Sequence, residues 1–93
     1  GEERAKAYEA AQEALEEARQ EQSAESVDVA AAAVERVKDP YAAPIKTTKA
    51  KKPNLQRLER ASSELASIKT AYEAYKVAKQ QEEEAVIALL MVI

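Results

Sequence analysis

The chain has no cysteine, no histidine, no phenylalanine and no tryptophan, and its only glycine is Gly1. Each absence excludes something. Without Cys or His there is no thiolate nucleophile, no disulfide, no zinc site of the usual ligand set and no imidazole to carry protons near neutral pH. Without internal glycine there is no glycine-rich phosphate loop, and the tight turns of antiparallel sheets lose their preferred residue. No Asp-rich calcium loop is present. The longest apolar run, residues 85–93, is nine residues long, whereas a membrane-spanning helix needs about 20. No transmembrane segment is therefore expected, and no targeting segment is visible in the sequence. The opening Gly1-Glu2-Glu3 lacks an initiator Met and fits either a processed mature protein or a fragment. Nothing in the composition fixes a compartment.

What remains is a vocabulary for helices. Hydrophobic residues make up 46% of the 93, much of it Ala, and charged residues 33%. Ala is the strongest helix former but buries little surface. A chain rich in Ala, Glu, Lys, Leu and Arg at heptad spacing is typical of long or paired helices. The length allows one domain and a modest core.

Proline divides the chain. Residues 2–39 and 54–93 contain none; Pro40, Pro44 and Pro53 all fall in 40–53. Asp39-Pro40 reads as a helix stop and Pro53-Asn54 as a start, with Asn54 as N-cap. Two arms of similar length, each about 60 Å if fully helical, flank one Pro/Lys-rich connector. The expected fold is all-α: an antiparallel, coiled-coil-like helical hairpin in a single domain, 1–93.

The second arm carries the clearest periodicity. Leu58, Ala61, Leu65, Ile68, Tyr72, Tyr75, Lys79, Glu82, Val86, Leu89 and Ile93 recur at 3-4 spacing, an a/d stripe along one helix. Lys79 and Glu82 interrupt it, as a polar layer or as a stretch where the partner helix diverges. Tyr72 and Tyr75 read as core residues with hydroxyls at the edge.

The first arm has two stripes. Tyr8, Ala11, Leu15 and Ala18 form one; Val27, Ala30, Val34 and Val37 form the other. They lie roughly 100° apart around a continuous helix. The change of phase falls at residues 20–26, where Ser23 and Ser26 are both suitable N-caps. Either the arm breaks there, giving three helices, or one helix carries a phase shift; a break or kink is preferred. Folding the second arm back on the first sets Val37 opposite Leu58, Val34 by Ala61, Ala30 by Leu65 and Val27 by Ile68. Continued, that register puts Ser23 and Ala24 opposite Tyr72, Lys79 near Glu16 and Glu82 near Glu13.

Charge is uneven. Residues 1–39 hold five basic and eleven acidic side chains; residues 40–60 hold six basic and one acidic. Lys46, Lys49, Lys51, Lys52, Arg57 and Arg60 thus form a candidate anion-binding cluster, for an acidic protein or nucleic acid. A solvated loop is the favoured explanation, because charge runs usually mark solvated segments. Nucleic acid is further disfavoured: only Tyr41, at the edge, could stack on a base, and the isoelectric point is 5.1. The paired carboxylates, such as Glu16-Glu17 and Glu82-Glu83-Glu84, read as solubilising charge.

The sharpest functional signal is the C-terminal run. A helix buries one stripe against a neighbour, yet Val86, Leu89 and Ile93 lie on one side of this segment and Ile87 and Leu90 on another. An uncovered patch of this kind marks a contact surface. Its β-branched residues also suit a short strand, but the heptad phase favours helix to the end. The expectation is a non-enzymatic structural or interaction protein that docks on a protein partner or on itself through Val86, Ile87, Leu89, Leu90, Val92 and Ile93. No cofactor, metal or catalytic residue is expected.

Overall fold

The computed structural model describes residues 2–43 and 52–92. Three helices follow one another: α1, Glu2–Glu21; α2, Ala24–Lys38; and α3, Leu55–Val92. Among the described residues there is no strand. The molecule is long and narrow, 63 × 25 × 18 Å, because 38 residues of α3 alone extend about 57 Å.

The first arm breaks where its stripe changes phase. Gln22 adopts φ 51°, in the left-handed region where a residue with a Cβ is disfavoured, and its N–H donates to the Ala18 carbonyl at 2.9 Å. This closes α1 with an αL cap. Ser23 then opens α2 as N-cap. Its Oγ accepts from the Ser26 N–H at 3.1 Å, while the Ser23 N–H donates to Ser26 Oγ at 3.2 Å. The result is a reciprocal capping box in which serine occupies the place usually held by Glu or Gln. The two serines are therefore two halves of one cap. At the far end the Asp39 N–H donates to the Glu35 carbonyl, and α2 stops before Pro40.

The break turns the chain back on itself. α1 and α2 are antiparallel, with Arg4 Nε donating to the Val37 carbonyl at 3.3 Å. The two stripes that lie on different sides of a continuous helix now face one another: Tyr8, Ala11, Leu15 and Ala18 are all buried, as are Val27, Ala30, Val34 and Val37. The alanines let the axes approach, since interaxial distance follows the side chains at the contact.

α3 completes the core with Leu58, Ala61 and Leu65, and Ile68 and Tyr72 pack at its margin. Asn54 caps it, its Oδ1 accepting from the Arg57 N–H at 3.0 Å. α3 runs antiparallel to α1. Arg19 meets Ser62, Glu9 meets Tyr72 and Glu2 meets Lys79, so each step down α1 matches an equal step up α3. Against α2 it runs parallel: Asp28 pairs with Arg57, and Lys38 with Glu64.

The expected register is thereby corrected. α3 does not begin opposite Val37. Tyr72 lies by Tyr8 and Glu9 and not by Ser23 and Ala24, and Lys79 lies by Glu2 and not by Glu16. The reason is topological. Once α1 and α2 form their own hairpin, a third helix can be antiparallel to only one of them. A parallel successor to α2 needs a long crossover, and the separation of Lys38 from Leu55 in sequence provides for it.

Candidate functional site

The base and the tip of α3 differ in how far the other helices cover them. At its base, Leu58 and Leu65 are 8% and 4% exposed. Asp28, buried on α2, accepts from the Arg57 guanidinium, so the charges are matched where the helices meet. Lys38 reaches Glu35 at 3.9 Å and Glu64 at 3.6 Å, but these groups are well solvated and contribute little.

Towards the middle the stripe leaves its cover. Tyr72 stacks on Tyr8, ring centroids 4.2 Å apart and planes 17° from parallel. Lys76 Nζ lies 4.9 Å from the Tyr72 ring centre, and the Tyr72 hydroxyl donates to Glu9 at 2.6 Å. That bond to a carboxylate, which favours the protonated phenol, holds the Tyr72 pKa above the usual tyrosine value. One turn pair further on, Lys79 Nζ donates to Glu2 at 2.6 Å. The hydrogen bond lowers the Glu2 pKa and raises that of Lys79. Lys79 is thus the last residue of the stripe that α1 meets, and Glu82 is exposed.

Beyond it the helix stands alone. Val86, Ile87, Leu89, Leu90 and Val92 are all exposed, with Leu89 at 63% and Leu90 at 67%. Ile93 lies outside the described residues. α3 remains helical through Val92, so the strand alternative does not occur within that range. Met91 and Val77 add to the exposed apolar surface.

Of the six basic residues of the connector cluster, three are described. Lys46, Lys49 and Lys51 lie outside the described residues. Lys52 and Arg60 are exposed, whereas Arg57 is committed to Asp28. Among the described residues no group of His, Cys, Asp or Glu is arranged to hold a metal ion, and no helix is long and apolar enough to cross a membrane.

A feature that sequence reasoning missed is a groove of about 400 Å³ beside the end of α2, lined by Arg4, Ala5, Tyr8, Val37, Ile68 and Tyr75 among others. Its existence depends on α3 outrunning α2, which no local pattern encodes. Neither a protein family model, a curated protein nor a solved structure matches the chain, so any functional reading rests on these surfaces alone.

Proposed function

We propose that the protein is a non-enzymatic structural or interaction module, an all-α scaffold of coiled-coil-like helices that docks through the apolar C-terminal part of α3. One observation carries this reading: six large apolar side chains, Val86, Ile87, Leu89, Leu90, Met91 and Val92, stand more than half exposed on a capped, well-formed helix. Contiguous apolar surface of that kind is costly in water and marks association sites. The absence of Cys and His from the chain supports a role without catalysis. Protein is the partner class that suits it. The acidic run Glu82-Glu83-Glu84 just before the patch would be repelled by an anionic lipid surface.

The test is association under dilution. Replacing Leu89 and Leu90 together by Glu should abolish self-association or partner capture and raise solubility while leaving helicity unchanged. A double variant that behaves like the parent in every one of these respects would remove the reading. The basic segment 46–60 as an anion-binding adaptor ranks second. It predicts binding that weakens steeply with salt, and the pairing of Arg57 with Asp28 withdraws one of its six cations.

A further inference from the structure

The surface of α3 that faces α2 continues past the end of α2. Arg57 and Glu64, which meet Asp28 and Lys38 on α2, lie on one side of α3. At 100° per residue, Ala71, Tyr75, Ala78, Glu82, Ala85 and Leu89 fall on the same side, within an arc of about 80°. Past Val37, among the described residues, only the start of α1 flanks that arc, beside Ala71 and Tyr75. Tyr75 is half-buried and the other five are exposed. The arc begins in the groove formed by Arg4, Tyr8, Val37 and Ile68 and ends in the apolar tip.

We infer that the occupant of this arc is the tip of α3 from a second copy of the chain, lying antiparallel, with each tip reaching into the other's groove. The inference rests on the docking reading and names its partner. Three observations on the arc support it. First, the lengths agree. The uncovered stretch from Ala71 to Lys79 and the overhang from Gln81 to Leu89 each run roughly 12 Å at 1.5 Å per residue, so a two-fold axis near Gln80 superposes one on the other. Second, sizes alternate across that axis. Leu89 falls opposite Ala71, Tyr75 opposite Ala85, and Glu82 opposite Ala78, a large residue meeting a small one in each layer, as interdigitating cores require. Third, the charges complement. Lys79 lies about 40° outside the arc, on the side turned to Glu2, and its long side chain flanks the layer where the incoming Glu82 meets Ala78. The axis repeats that pair, giving two cations and two anions at the centre, and each Lys79 keeps its own Glu2. The two polar residues that interrupt the α3 stripe thereby set the register of the pair.

The chain has no native Cys, so disulfide trapping reports the geometry cleanly. Chains carrying Ala71→Cys and chains carrying Leu89→Cys are mixed and oxidised, and each is also oxidised alone. The expected result is a covalent pair in the mixture and almost none in either single sample, because like positions would be about 27 Å apart along the axis. Sedimentation from micromolar to millimolar concentration should show the mass rising from the 10.2 kDa of one chain towards twice that, with the rise lost in Leu89→Glu and in Ala71→Glu. A chain that stays monomeric at every concentration overturns the inference. Dimers that form but trap as Leu89→Cys with itself also overturn it, while leaving docking through the tip intact. The docking reading falls only if changes at the tip alter no association at all.

Discussion

The two ends of α3 are built from the same pattern and meet opposite fates. Leu58, Ala61 and Leu65 at the base and Val86 and Leu89 at the tip occupy equivalent places in one 3-4 stripe. The first three are buried against α1 and α2; the last two are more than half exposed. Periodicity therefore says which side of a helix is apolar, but cover is decided by where the other helices stop. α2 ends beside the first third of α3, and α1 begins beside Lys79.

The comparison can be broken most forcefully by truncating one leucine at each end. Leu65→Ala should cost about 2–4 kcal/mol in chemical denaturation, the range for large-to-small changes in a packed core. Leu89→Ala should stay within about 0.5 kcal/mol at concentrations too low for association. Equal costs would mean that the tip is covered. Because small domains have thin stability margins, Leu65→Ala also threatens folding at ordinary temperature.

Next in size is the pair at the base. Asp28→Ala removes the carboxylate that faces Arg57 and should destabilise the protein by roughly 2 kcal/mol, within the range for a hydrogen bond to a charged group and below that for breaking a fully buried ion pair. A double-mutant cycle with Arg57→Ala should recover a coupling energy that no exposed pair, such as Lys69 with Glu73 at 3.9 Å, can match.

The turn between α1 and α2 offers changes of opposite sign. Ser23→Ala removes the capping oxygen and should cost about 1 kcal/mol. Gln22→Gly relieves a left-handed backbone and should gain up to about 1 kcal/mol. If thermal unfolding moved the same way for both, the described cap would be wrong.

The smallest effects lie at the margin of the cover and are read best by titration. The Glu2 pKa is depressed, so its contribution is present above the ordinary glutamate range and lost as pH falls through the lower folded value. The Lys79 and Tyr72 pKa values are raised, so theirs are present below the ordinary values and lost as pH rises through the higher folded ones. The window in which all three operate therefore spans roughly pH 5 to 10. In NMR titrations, Glu2→Gln should return Lys79 towards its ordinary value and leave Tyr72 unchanged. Glu9→Gln should do the converse.

Much of this architecture is written locally. The four-residue stripe of α1 predicts its buried face residue for residue, that of α2 predicts all but Ser26, Asp28 and Ala33, Asn54 predicts the start of α3, and Ser23 and Ser26 mark the break. These features are legible because caps and stripes involve residues a few positions apart, and tertiary context only has to agree with them. The sense of the break was not legible. A kink and a full reversal share the same phase change, and only Gln22 at positive φ separates them. The register of α3 followed from that choice, so it shifted from α2 to α1. Of the candidate site, the apolar tip was legible because nine apolar residues in a row exceed what one stripe can hide. The groove was not, since it is defined by Arg4, Val37 and Ile68, which are far apart in sequence.

Amide hydrogen exchange along α3, followed residue by residue in dilute solution, tests the asymmetry itself. Strong protection is predicted from Leu58 to about Tyr72, declining past Lys79 to fast exchange between Val86 and Val92, because an unpacked helix opens locally at little cost. Uniform protection along the whole helix at concentrations where the chain is monomeric would contradict the account.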